Sequence, residues 1–372
     1  MGNGRLTLWL TAIAILCSTL AVRAQEQGKD VVRIRTRAVF LDALVKDKRT
    51  GQPVRDLARE DFQVFDDDRP RVITYFSRDG EAREQPLALV IALDLFGGRS
   101  FSYLKKTEVA EQLVSAIKKL SPEDEVGVML MWAEEETKGS DVFVGKCQMV
   151  ESLTRDREKT AAALRAVPPR LQAYVKSFPA KRPDLSGPAQ FPTSAPQGGL
   201  ACASDEVSRL AASEKANAQV RMIVLTDDLV PFDLNDRAEA TRKLLASGVT
   251  VSGLLMGDLS FADKVFIGII GKPYVGALGS GLFSLNYLAK QTGGEAVRVS
   301  RSEEFAGAVG RLIDGLAARY SLGFTLGEGE RDDGRLHKLE VKVKARDASR
   351  KERKLSVIAR RGYYVPGTSA VK

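Results

Sequence analysis

Apolar and polar positions change rhythm three times along the chain. From Val31 to about Phe76 they alternate: Val39, Leu41 and Ala43 fall on one side of an extended segment, Phe40, Asp42 and Leu44 on the other. Thr50-Gly51-Gln52-Pro53 and Asp66 to Pro70 are turn sequences, and Phe62 to Phe65 and Val72 to Phe76 read as short strands. A period of two with Gly, Pro and Asp punctuation predicts a small antiparallel β unit.

The middle of the chain behaves differently. Leu87 to Leu93 is an unbroken apolar run, which predicts a strand buried on both faces. Leu113, Ile117 and Leu120 have helical spacing. Val126 to Met131, Met222 to Leu225, Val249 to Leu255 and Ala296 to Val299 read as further strands, with a helix carrying Leu244 and Leu245. Ser300 and Glu303 are placed for a capping box ahead of Phe305, Val309, Leu312 and Leu316 on one helical face. This alternation predicts an α/β fold over 84–318: a doubly wound, mostly parallel sheet.

From Arg319 the β rhythm returns. Tyr320 to Leu326 is a strand, Leu339, Val341 and Val343 alternate with polar residues, and Leu355 to Ile358 leads to Arg361-Gly362-Tyr363-Tyr364. The β-rich segments 30–82 and 319–366 are therefore candidates to pair as one β-sandwich. Two stretches follow neither rhythm. Pro168 to Gly199 reads as a long irregular loop, either functional or a tolerated insertion. Ala262 to Leu278 is apolar and punctuated by glycine, a core-capping helix in preference to a partner-binding patch.

The first 24 residues stand apart. Arg5 precedes an almost wholly apolar run from Leu6 to Val22, and Val22-Arg23-Ala24 supplies small residues before Gln25. This is the pattern of a cleaved secretory signal peptide, the alternative being an uncleaved anchor. It implies a secreted or periplasmic mature chain, and no second run is long enough to span a bilayer. Cys17 leaves with the signal. Cys147 and Cys202 can pair in an oxidising compartment or stand as separate buried thiols, and the second reading is preferred.

Composition narrows function mainly by exclusion. The chain of 372 residues is 44% hydrophobic and 28% charged, which rules out global disorder. A formal charge of +8, spread over that length, does not mark a nucleic-acid binder. There is no H-E-x-x-H, no Walker loop and no G-x-G-x-x-G after a strand, since Gly276, Gly279 and Gly281 have the wrong spacing. The one histidine, His337, lies on a basic strand and reads as solvated. Asp66-Asp67-Asp68 reads as a solvated turn rather than a calcium site. No enzyme is expected.

Candidate chemistry gathers at two strand ends, Leu93-Asp94 and Thr226-Asp227-Asp228. Ligands in open parallel sheets collect at carboxyl ends of strands. If these strands are neighbours, Asp94 and Asp227 face one crevice and could hold a divalent cation directly or through water. The same carboxylates could instead cap the helices that follow.

A strand ending in Asp94, followed later by Ile223-Val224-Leu225-Thr226-Asp227, resembles the von Willebrand factor A domain. Pro53 to Leu57, Glu60 to Phe65, Tyr320 to Phe324 and Arg361 to Tyr364 are similar to motifs of the von Willebrand factor A-related proteins of the Acidobacteria type. The resemblance spans nearly the whole mature chain. It implies a metal-ion-dependent adhesion site with Asp94 and Asp227 as ligands. It places two serines at Phe96 and Gly98 and a threonine near Leu200, so the site reads as degenerate, with weak Mg²⁺ or Mn²⁺ binding at most. The function expected is an exported, non-enzymatic, adhesion-like module with a protein partner and no nucleic acid. The alternative is a surface- or polysaccharide-associated structural protein that binds through basic flank strands. Oligomeric state is left open.

Overall fold

Alternation at the start of the flank produces β1 (Ala38–Asp47), with Val39, Leu41, Ala43 and Val45 buried and Phe40 52% exposed. The computed structural model describes residues 38–78, 86–95, 98–135, 143–177, 199–215, 218–228, 234–257, 284–327, 333–346 and 349–365. The expected signal segment, most of the Pro168–Gly199 stretch and the Ala262–Leu278 insertion lie outside these residues. A 3₁₀ turn (Arg59–Asp61) leads into β2 (Phe62–Asp66), followed by β3 (Arg69–Arg71) and β4 (Tyr75–Ser77).

The apolar run becomes β5 (Leu87–Asp94), every residue of which is buried. After it come α1 (Gly98–Leu104), α2 (Thr107–Ile117), β6 (Glu125–Glu135), β7 (Phe143–Thr154), α3 (Arg157–Arg165), α4 (Val167–Ser177) and α5 (Gly199–Ser213). Then follow β8 (Gln219–Thr226), α6 (Leu234–Ala246), β9 (Thr250–Met256), α7 (Ser284–Thr292), β10 (Ala296–Val299) and α8 (Ser302–Ala317). These strands form one six-stranded sheet in the order β10-β9-β8-β5-β6-β7, parallel except for β7 at one edge.

Both faces of that sheet are covered. Leu89, Ile91 and Leu93 pack with Val109, Leu113, Ile117, Phe305 and Leu312. The alternate residues Ala88, Val90 and Ala92 pack with Val207, Leu244, Leu285 and Leu288. A strand buried on both faces needs apolar residues at every position, which is why β5 carries no alternation.

Three expectations are corrected. Cys147 of β7 and Cys202 of α5 form a disulfide rather than two separate thiols. Helix α4 occupies the start of the supposed Pro168–Gly199 loop, because Pro168 and Pro169 fall in the first helical turn, where a missing N–H breaks no helical bond. The cap of α8 is not built from Ser300 and Glu303: Arg301 is the N-cap, and Glu304 accepts the Ser300 N–H at 3.3 Å. Strand β7 adds an element that the apolar pattern does not announce. It is an edge strand with no fully buried residue from Val144 to Thr154, so its sequence lacks a strong apolar rhythm.

The carboxyl-terminal strands are β11 (Arg319–Thr325), β12 (Leu336–Val343), β13 (Leu355–Ala359) and β14 (Gly362–Tyr364). They interleave with the amino-terminal ones in two four-stranded sheets, β13-β1-β11-β4 and β14-β12-β2-β3. Val39, Leu41, Phe62, Val64, Tyr320, Phe324, Leu339 and Tyr363 belong to a single apolar cluster drawn from both ends of the chain. Tyr320 fastens them: its hydroxyl donates to Val54 O at 2.9 Å and accepts the Leu57 N–H at 3.1 Å.

These sheets meet the central sheet near the amino ends of its parallel strands. Arg221, early in β8, reaches Asp42 of β1 at 2.7 Å and Leu316 O at 2.9 Å. Lys46 pairs with Glu295, just ahead of β10. Arg319 donates to Gly293 O at 2.8 Å, and burial, with Arg221 nearby, pushes its guanidinium down to about 10.

The Cys147–Cys202 bond closes a segment of 55 residues. Loop-closure entropy then assigns it a stabilisation of about 4 kcal/mol at most. Replacing both cysteines by serine is expected to lower the urea unfolding midpoint accordingly. A midpoint equal to that of the oxidised wild type would show that the bond contributes nothing.

Candidate functional site

The carboxyl ends of β5 and β8 lie side by side because the strands pair in parallel with Leu93 opposite Leu225. Alternation decides what each tip presents. Ala92 of β5 and Val224 of β8 point to the same face, so Asp94 and Thr226 continue that face. Thr226 Oγ1 donates to Asp94 Oδ2 at 2.6 Å and accepts the Asp228 N–H at 3.0 Å. One hydroxyl therefore ties the two strand tips together.

Asp228 takes a left-handed backbone angle, φ 55°. Its carboxylate accepts the N–H of Leu285 in the first turn of α7, at 3.1 and 3.2 Å. Burial is the main influence on its ionisation. Together with the neighbouring charges of Asp227 and Asp94, it pushes the carboxyl up to about 7, against the hydrogen bonds from Leu285 and Asn286.

Asp227 is engaged from elsewhere. Its Oδ2 accepts the Arg99 N–H at 3.1 Å, and Arg99 belongs to α1, whose Tyr103 and Leu104 sit in the cluster on the other face of the sheet. The Arg99 side chain lies against Gly257, which has φ 89°, and a Cβ at that glycine would come within 2.8 Å of Arg99 Cδ. Arg298 closes the same end by donating to Gly257 O at 2.9 Å.

The two carboxylates singled out in the sequence are thus both buried at the tips of neighbouring strands, each held by a different protein donor. Hydroxyls are scarce where the resemblance puts them. Phe96 lies outside the described residues, Gly98 has no side chain, and Leu200 packs on the apolar cluster beneath α5. Ser100 is fully buried in α1, and its Oγ makes no hydrogen bond among the described residues. Among those residues, Asp94, Asp227 and Asp228 do not form a close three-ligand group. The sequence alone gives Thr226 and Asp228 no distinct role. Their signal was the two-residue rhythm of β8, which puts Thr226 and Asp94 on one face only once the two strands are known to be neighbours.

A second concavity, of about 720 Å³, lies beside the disulfide between β7, α5 and α6. Its Lys243 is paired with Asp205 and Glu239, and its Arg209 with Glu206. Both of its cations are held in these ion pairs, and four carboxylates against two basic groups leave its lining acidic.

No protein-family model matches the chain, and no curated protein matches it. Among solved structures, a von Willebrand factor type A protein from Catenulispora acidiphila is similar over 90% of this chain and 74% of its own, at 11% identity and a TM-score of 0.40. An aerotolerance-related membrane protein from Bacteroides fragilis covers 62% of this chain and 98% of its own, at 13% identity and a TM-score of 0.34. The manganese-loaded TRAP protein of Plasmodium vivax covers 77% and 96%, at 12% and 0.34. Likenesses this slight bear no weight on function, and the α/β architecture rests on the sheet order described above.

The raised Asp228 carboxyl means that the folded chain holds a proton which the unfolded chain releases. Its contribution to stability is present below the ordinary aspartate value of 3.8 and is lost as pH rises through about 7. Asp228→Asn keeps a carbonyl for the Leu285 N–H and removes the charge. In chelator-treated buffer, thermal midpoints at about pH 5.5 and about pH 7.5 are expected to differ less in the variant than in the wild type. An equal difference in both would show that Asp228 ionises freely.

Proposed function

We propose that this chain is an exported, non-enzymatic protein-interaction module built on a von Willebrand factor A-like domain. It meets its partner at the carboxyl end of the central sheet without relying on a firmly held metal ion. The observation that carries this reading is the engagement of the strand-tip carboxylates by donors of the protein itself: the Thr226 hydroxyl and the Arg99 and Leu285 N–H groups. A site for Mg²⁺ needs nearly complete octahedral oxygen coordination. Asp94 and Asp227, without hydroxyls at the three companion positions, supply too little of it.

The flank sheets support the same reading, taken here as a β-sandwich fastened at the opposite end of the parallel strands, which keeps the flank strands away from the carboxyl end. The signal-like start supports export. So does the disulfide, since such bonds persist in oxidising compartments. The alternative of a basic polymer-binding flank is weakened along β12 by ion pairing. Lys338 is paired with Asp68, Lys342 with Glu340, and Arg335 with Asp67 and Asp333.

Calorimetric titration with Mg²⁺ and Mn²⁺ is expected to give no binding that Asp94→Ala abolishes and that is tighter than about the millimolar range. Partner capture from an envelope fraction should survive chelation. Micromolar binding that vanishes in Asp94→Ala, or capture that requires the metal, would overturn this reading.

A further inference from the structure

His337 is the only histidine of the chain, and it is not solvated as its sequence context suggests. It stands where the two flanks meet, with its side chain 13% exposed. The hairpin between β2 and β3 turns through Asp67 and Asp68, both with left-handed backbones, φ 46° and 64°, the geometry of a two-residue β-turn. This turn is folded onto β12. The Asp67 N–H donates to Lys338 O, and Asp67 Oδ1 accepts the Lys338 N–H, each at 2.9 Å.

That register delivers two carboxylates to one imidazole nitrogen. His337 Nδ1 lies 3.0 Å from Asp67 Oδ2 and 4.0 Å from Asp66 Oδ1. On the other side of the ring, Nε2 lies 3.2 Å from Asp333 Oδ1. The ring stacks on Tyr363 with centroids 5.1 Å apart, which fixes its plane.

Two observations go beyond a hydrogen-bonded turn. Asp66 is 2% exposed. Its Oδ2 is satisfied by Arg71 at 2.6 and 3.0 Å and by the Tyr363 hydroxyl at 3.1 Å. Its Oδ1 is buried and accepts no hydrogen bond among the described residues, yet lies 4.0 Å from His337 Nδ1. A buried carboxylate oxygen left bare is unfavourable, and such a position calls for a cation or a donor. Secondly, one ligand atom each from Asp66, Asp67 and His337 lies within 4.8 Å of the others, the one such group among the described residues. A carboxylate on the far ring nitrogen is how proteins orient a metal-binding histidine.

We propose that Asp66, Asp67 and His337 bind a divalent transition-metal cation of the zinc class, with Asp333 as a positioning residue. An imidazole nitrogen in the donor set favours such an ion over Ca²⁺ or Mg²⁺, which prefer all-oxygen surroundings. Metal–ligand bonds of about 2.0–2.2 Å place tetrahedral donors roughly 3.3 Å apart, so Asp66 Oδ1 and His337 Nδ1 need to close by less than an ångström. The ion replaces the contact between His337 Nδ1 and Asp67, while Asp333 accepts the Nε2 proton. Arg335, which pairs with Asp67 from an exposed position, moves aside, and the remaining coordination position opens to water. Bound there, the ion clasps the amino-terminal hairpin to the carboxyl-terminal strand, joining residues 270 apart in sequence. Its binding free energy then adds to folding.

The test uses the untagged chain, stripped with chelator and titrated with Zn²⁺. Because there is one histidine, its imidazole ¹H–¹⁵N signals identify themselves. One equivalent of Zn²⁺ is expected to shift both ring nitrogens and to raise the thermal midpoint. His337→Gln and Asp67→Asn should each weaken binding by at least tenfold, and Asp333→Asn by a smaller factor. Four results would overturn the proposal: no zinc binding, ring signals that zinc leaves unmoved, undiminished affinity in His337→Gln, or Ca²⁺ binding as tight as Zn²⁺. The ring signals read the site in the wild type, so the test stands even if a variant fails to fold.

Discussion

Arg221 sits in the second turn of alternation along β8, only 3% exposed, with its guanidinium directed out of the central sheet at the strand's amino end. There it meets Asp42 of β1, Leu316 O at the end of α8, and Gln219 Oε1. Asp42 is held in turn by Ser321 Oγ at 2.9 Å. A buried guanidinium is tolerated only when charge and hydrogen bonds are supplied around it. This one draws its partners from the amino-terminal flank, the central domain and the neighbourhood of the carboxyl-terminal flank at once. It therefore dictates where the flank sheets sit: against the amino ends of the parallel strands, and nowhere else that would leave Arg221 unmatched.

The placement governs everything at the other end. From Arg221 to Asp227 the chain runs six residues, about 20 Å of extended strand. The carboxyl tips of β5 and β8 are thus held apart from the flanks by the length of the sheet. What they offer there is a buried acidic end in which Asp94, Asp227 and Asp228 each already accept a hydrogen bond, from Thr226, Arg99 and Leu285 respectively. The proposed partner surface and the proposed metal clasp at His337 are accordingly separate features, one on the central domain and one within the flank sheets.

Much of this was legible in the residues because burial leaves a period. The unbroken run of β5 announces a strand covered on two faces, and Val39, Leu41 and Ala43 announce the buried face of β1, whose other face runs from exposed Phe40 to buried Leu44. The tips Asp94 and Asp227 were legible for the same reason, as acids that end apolar runs. Edge strand β7 was not, since half-exposed residues carry a weak rhythm. Helix α4 was hidden by Pro168 and Pro169, which suit a first turn as well as a loop. Long-range pairing left no local signal at all. Nothing near Cys147 points to Cys202, and nothing near His337 shows that a turn from the far end of the chain will close over it. The flank motifs acquire a physical meaning only in three dimensions: Tyr320 bonds to Val54 and Leu57, and Gly362 leaves room where a Cβ would come within 2.8 Å of His337 O.

The most direct test of the central claim is a double-mutant cycle on Asp42 and Arg221, read by urea unfolding of Asp42→Ala, Arg221→Met and the pair together. If this ion pair seats the flanks, Asp42→Ala alone costs about 3–5 kcal/mol by leaving a buried charge unmatched, and the double variant recovers much of that loss. Additive losses in the double variant would contradict the account.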